Sequence, residues 1–111
     1  MRSSALLLVA LAACGGAKQD ARDEAVGSCN QPSIHGCVEY RGANLAAGTD
    51  NLAKLCSAVA PGDFKMMACP TAQRIGSCAR LTGTDVYYEG YPIALPDAER
   101  SCKESNGTFA K

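Results

Sequence analysis

The chain has 111 residues, 7 of them cysteine, and its 11 Lys and Arg are balanced by 11 Asp and Glu. That length allows one small domain, and a chain without net charge carries no electrostatic footprint for a polyanion, which argues against a nucleic-acid binder. The 47% apolar content is inflated at the start, where Ala5 to Cys14 run without a polar residue, and what remains is sparse and alanine-heavy.

In chain order, Arg2 forms a short positive region, Ala5 to Ala10 an apolar region, and Leu11-Ala12-Ala13-Cys14 places two small residues directly before a cysteine. The apolar run is too short to span a bilayer, which needs about 20 residues. Leu11-Ala12-Ala13-Cys14 resembles the lipobox of bacterial lipoproteins. The resemblance implies cleavage before Cys14 and a lipid-modified Cys14 as the new N-terminus, carrying a thioether-linked diacylglycerol and an amide-linked acyl chain. Several acyl chains exceed what stable attachment to one leaflet requires. Gly15 follows the cysteine where enteric bacteria place a retention aspartate, so the family rule implies delivery to the outer membrane, on its periplasmic face or its surface.

Residues 15 to 28 mix both charges with small residues and lack an apolar face. They are expected to form a tether after the lipidated Cys14, with an end-to-end distance of roughly 20 Å. Without Arg2 the mature chain carries 10 basic and 11 acidic residues, and no polybasic lipid patch is expected.

From Cys29 onward 83 residues contain 37 apolar ones, of which 12 are alanine and 6 cysteine. A core this poor needs staples. Once Cys14 is set aside, Cys29, Cys37, Cys56, Cys69, Cys78 and Cys102 form an even set in an exported chain, and three disulfides are expected. The spacing suggests a duplication, with Cys29, Cys37 and Cys56 matched to Cys69, Cys78 and Cys102, so that units of about 29–68 and 69–111 repeat. Gly36-Cys37 against Gly76-Ser77-Cys78 and Gly62-Asp63-Phe64 against Gly107-Thr108-Phe109 support the match. Six cysteines permit 15 pairings. Symmetry between the units favours Cys37 with Cys56, Cys78 with Cys102, and Cys29 with Cys69.

Leu52, Leu55, Cys56 and Val59 share one helical face, with Thr49 or Asp50 available as a cap and Pro61-Gly62 as a stop. Pro96 suits the start of a second helix, Ala98 and Cys102 share its face, and Asn106-Gly107 supplies a left-handed exit. Val38 to Tyr40, Phe64 to Ala68, Cys78 to Leu81 and Asp85 to Tyr88 read as strands. The expected fold is a small disulfide-rich α+β domain, two strand-helix units on an antiparallel sheet.

No catalytic set can be assembled. His35 is the single histidine, and a loop histidine beside a bridged Cys37 is a simpler account than a base for a thiolate. There is no Cys-x-x-Cys, no zinc-ribbon spacing, no Gly-x-Ser-x-Gly elbow and no phosphate-cradling glycine loop. Asp85, Glu89, Asp97 and Glu99 suit solvated faces and helix-end electrostatics. Asn106-Gly107-Thr108 matches a glycosylation sequon but sits at the expected helix exit. No metal or other cofactor is expected. The candidate contact surface is Tyr87, Tyr88 and Tyr91: in a strand Tyr87 and Tyr88 point to opposite faces, so one ring can join the core while the other stands exposed as an interface anchor.

Cys-Val-Glu-Tyr at Cys37 to Tyr40, Cys69-Pro70, Gly76-Ser77-Cys78, Tyr87-Tyr88 and Gly107-Thr108-Phe109 together resemble uncharacterised small cysteine-rich predicted lipoproteins of Gram-negative bacteria, a resemblance that implies no activity. The expected function is that of a lipid-anchored, non-catalytic binding or structural module of the cell envelope, with the membrane as one partner and an envelope protein or glycan as another. A small inhibitor of a protease or lytic enzyme is the alternative.

Overall fold

The computed structural model describes residues 25–58 and 60–111. The lipobox with Cys14, most of the expected tether, and Val59 lie outside the described residues. Six strands and two helices follow in the order β1 (Val26–Gln31), β2 (Gly36–Arg41), α1 (Thr49–Cys56), β3 (Asp63–Lys65), β4 (Arg74–Arg80), β5 (Gly83–Tyr88), α2 (Leu95–Glu104) and β6 (Thr108–Ala110). The strands form one antiparallel sheet in the order β3-β1-β2-β5-β4-β6. This is the small disulfide-rich α+β fold that the cysteine count and the strand and helix patterns anticipate.

The same β-β-α-β unit occurs twice, and its register repeats. Gly27, Ser28 and Cys29 lie opposite Tyr40, Glu39 and Val38, while Gly76, Ser77 and Cys78 lie opposite Tyr87, Val86 and Asp85. Cys29 is opposite Phe64 on its outer side, and Cys78 is opposite Phe109. The units meet where β2 pairs with β5, and Val38 lies opposite Asp85 at the centre. A two-fold rotation through that pair exchanges Tyr40 with Tyr87, Phe64 with Phe109, and Gly36 with Gly83. The exchanged ring pairs keep one spacing, with centroids 6.4 Å apart for Tyr40–Phe64 and 6.4 Å for Tyr87–Phe109.

This register corrects the expected disulfides. The bonds are Cys29–Cys56, Cys37–Cys69 and Cys78–Cys102, so only the last of the three expected pairs holds. Successive strand side chains point to opposite faces, and Cys29 points with Val38 toward α1 whereas Cys37, one residue out of phase, points away from it. Cys37 therefore cannot reach Cys56. The true repeat is Gly27-Ser28-Cys29 against Gly76-Ser77-Cys78, each stapled to the C-terminal turn of its own helix. Cys69 precedes the second unit and belongs to the connection between units. The expected tether is also shortened, since Val26 to Ser28 form the first half of β1 and Ser28 is buried.

Both helices cover one face of the sheet. α1 follows Gly48, whose φ of +92° opens the turn and whose carbonyl accepts the Leu52 N–H at 3.0 Å; no side chain caps it. Leu52 and Cys56 are buried, but Leu55 is 62% exposed, contrary to the expected apolar face. α2 carries Pro96 in its first turn and buries Ala98 and Cys102. Asn106 then leaves in the left-handed region at φ +63°, as the Asn-Gly pair predicts.

The opposite face is closed by the chain itself. To pass from β3 on one edge to β4, residues 66–73 must cross β1, β2 and β5. The Cys37–Cys69 bond pins this crossing to β2, the Cys69 N–H donates to Glu39 Oε2 at 2.9 Å, and the Tyr88 hydroxyl donates to the Pro70 carbonyl at 2.7 Å. Cys37, Cys69, Val86 and Tyr88 form the small core beneath it.

Candidate functional site

The helix face leaves a concavity over the central strands. On one side of the Val38–Asp85 pair it is an open groove of about 510 Å³, with Tyr40, Leu52 and Leu55 on one wall and Arg80, Thr82 and Asp85 on the other. On the symmetry-related side, Gln31, Gly36, Tyr87 and Tyr91 line a remnant of about 110 Å³. The difference is Tyr91. Its ring lies 4.7 Å from that of Tyr87, and a Cβ on Gly36 would come within 3.3 Å of it. The tyrosine-rich segment of the second unit thus plugs one half of a concavity whose other half stays open.

The open half holds an ion pair at its centre. Arg80 on β4 and Asp85 on β5 point to the same face and pair directly, with side chains 27% and 33% exposed. Arg80 Nε also donates to Ser105 Oγ, at the end of α2, at 3.0 Å. In the first unit Gln31 stands in place of Arg80 and reaches the end of α1, with Nε2 donating to the Cys56 carbonyl at 3.0 Å. The second unit therefore substitutes a cation–carboxylate pair, Arg80 with Asp85, where the first carries neutral Gln31 and Val38. Held from the side by Ser105, the guanidinium is oriented as well as charged.

The three expected contact tyrosines do different work. Tyr87 and Tyr88 do point to opposite faces, but both are buried, which corrects the expectation that one ring stands exposed. Tyr87 packs against Tyr91, Phe109 and the Cys78–Cys102 bond in the second unit's core. Burial pushes its hydroxyl above the ordinary tyrosine range, against the opposing pull of the Arg80 guanidinium. Tyr88 closes the other face and is likewise raised by burial, with Arg74 acting to lower it and Glu39 to raise it. Tyr91 alone is partly exposed. The accessible surface of the groove instead comes from Tyr40, Leu55, Arg80 and Asp85. From sequence alone Asp85 reads only as a solvated acid, and Tyr40 only as a strand residue.

All six candidate cysteines from Cys29 to Cys102 are bonded in disulfides. Cys14 lies outside the described residues. His35 sits in the turn between β1 and β2 at φ +53°, with its ring 3.2 Å from where a Gly90 Cβ would be. It lines a second concavity of about 240 Å³ with Asn30, Pro70, Gln73 and Tyr88. Two residues along, Cys37 is bridged, so no thiol is there for His35 to activate. Among the described residues no three His, Cys, Asp or Glu side chains gather as a metal site, and no helix is long and apolar enough to cross a membrane.

Comparison with known proteins returned no matching family model, no matching curated protein and no matching solved structure.

Proposed function

We propose that the chain is a non-catalytic contact module of the cell envelope, held at a membrane by lipid on Cys14, and that it binds a protein or glycan partner in the open half of the groove. The observation that carries this reading is the asymmetry of the duplicated fold. One concavity is filled by Tyr91, while its counterpart stays open between apolar walls and holds the oriented Arg80–Asp85 pair. Binding sites of this kind combine apolar lining with a few placed polar groups. The bridges on either side keep the walls from collapsing, so little ordering entropy is lost on binding.

Leu55 is an exposed large apolar side chain of the groove, so Leu55→Lys should leave the fold intact and weaken partner capture by at least about tenfold. Ile93→Lys, an exposed change in the loop before α2, should leave capture unchanged. Equal capture by the wild-type and Leu55→Lys chains would contradict the groove assignment. The anchor is tested by intact mass, which should show acyl chains on Cys14, and by Cys14→Ser, which should release the chain from the membrane fraction.

The inhibitor alternative would need an exposed extended segment. Among the described residues the most exposed large apolar one, Leu81 at 95%, sits instead in a two-residue turn whose strands stay paired up to Arg80 and Gly83. That tight hairpin favours the contact reading.

A further inference from the structure

The two ends of the sheet differ in chemistry. The described chain enters at the end where β1 begins, opposite Arg41 on β2. The exposed residues Met66 and Met67 follow β3 at this end, because Lys65 already lies opposite Ser28. Leu81, almost wholly exposed, forms the tip of the β4–β5 hairpin at the same end, beyond the Arg80–Gly83 pair. From β3 to that hairpin these apolar points span roughly 17 Å of rim, at about 4.8 Å per strand.

The ion pairs follow the same polarity. In each of the ion pairs Glu39–Arg41, Asp63–Lys65 and Asp85–Arg80, the cation is nearer the Val26 end and the acid lies two register positions deeper in the sheet. α2 runs toward this end, and in Asp97–Arg100 and Glu99–Lys103 the cation is again the member nearer it. Among the described residues, the acids Asp50 and Glu104 near this end belong to the helix layer rather than to the rim.

We infer that the Val26 end of the sheet docks on a phospholipid surface, with Leu81, Met66 and Met67 entering the interface and Arg41 and Lys65 at headgroup level. The inference rests on the lipid anchor proposed above. Ten residues separate Cys14 from Ala25, and even fully extended they keep that end within about 40 Å of the anchored leaflet. Apolar tips with flanking cations are the pattern of a protein lying on a membrane rather than crossing it. The His35 concavity, at the Gln31 end, would then face away from the bilayer.

The chain contains no tryptophan, so one introduced indole reports its own surroundings. The full chain carrying Leu81→Trp, and separately Ile93→Trp at the far end, is matured in the envelope and reconstituted into vesicles of phosphatidylethanolamine and phosphatidylglycerol. Both variants are first checked for cooperative unfolding. The expected result is co-flotation of both, with emission shifted to shorter wavelength and quenched by brominated lipid for Leu81→Trp alone. Co-flotation with both indoles remaining accessible to aqueous quencher would overturn the docking and leave the anchor standing. Failure of either chain to float, with no acyl mass on Cys14, would overturn the anchor and the docking with it.

Discussion

Reduction of the three disulfides is expected to unfold the domain at room temperature. The bonds close loops of 27, 32 and 24 residues, and chain entropy alone assigns about 3.5 kcal/mol to each. A domain of this size has a whole stability of only about 4–13 kcal/mol. Little else replaces the staples, because among the described residues the buried hydrophobic ones are six cysteines, three apolar residues in Leu52, Val86 and Ala98, and two tyrosines. Far-UV circular dichroism before and after reduction under mild conditions reads the effect directly. A cooperative thermal transition surviving full reduction would show that the apolar packing has been underestimated.

Alanine at Gly107 or Gly62 is expected to destabilise each unit by about 1–3 kcal/mol, the range for overpacking a closed core. A Cβ on Gly107 would lie 2.5 Å from Cys78 Sγ and 2.8 Å from Cys102 Sγ. On Gly62 it would lie 2.6 Å from Cys56 Sγ, 2.6 Å from the Cys56 carbonyl and 2.9 Å from Cys29 Sγ. Each glycine lets the chain leave its helix and enter an edge strand directly against the disulfide, where no side chain fits. The two sites belong to separate units, so their effects should add. Urea midpoints of the single and double variants test this; unchanged midpoints would mean that the bridge and the returning strand are not in contact.

Much of the fold was legible because it lies in short-range chemistry. Leu52 and Cys56 at helical spacing, Pro96 inside the start of α2 and Asn106 in its exit each state a local preference that nothing in the fold opposes. The recurrence of the β-β-α-β unit is hard to align from the cysteines alone. Matching cysteine to cysteine in order set Cys37 against Cys78, whereas the Gly-Ser-Cys triplets at 27–29 and 76–78 carry the true register. The reason is physical: in a strand a one-residue offset reverses the face, so the glycine and serine beside a cysteine say more about its direction than its rank among cysteines does. β1 is not legible in the sequence because Val26-Gly27-Ser28 has little strand propensity of its own, and β2 and β3 supply the pairing on both sides.

The groove was less legible for a related reason. Tyr40, Leu55, Arg80 and Asp85 come from four elements, and only the pairing of β2 with β5 brings the two units' halves together. From sequence the tyrosine cluster reads as a surface, yet the Tyr87 and Tyr88 rings serve as core where alanine and cysteine leave space. Tyr91, by filling one half of the concavity, makes the other half stand out.

The central claim is that two β-β-α-β units, each stapled from its first strand to its helix, are locked by a third bond that fastens the crossing segment to the opposite face. Peptide mapping of the oxidised chain tests it most directly. The account predicts peptides joining Cys29 to Cys56, Cys37 to Cys69 and Cys78 to Cys102, with no free thiol among the six. A peptide joining Cys37 to Cys56 or Cys29 to Cys69 would contradict the register, and with it the groove built on that register.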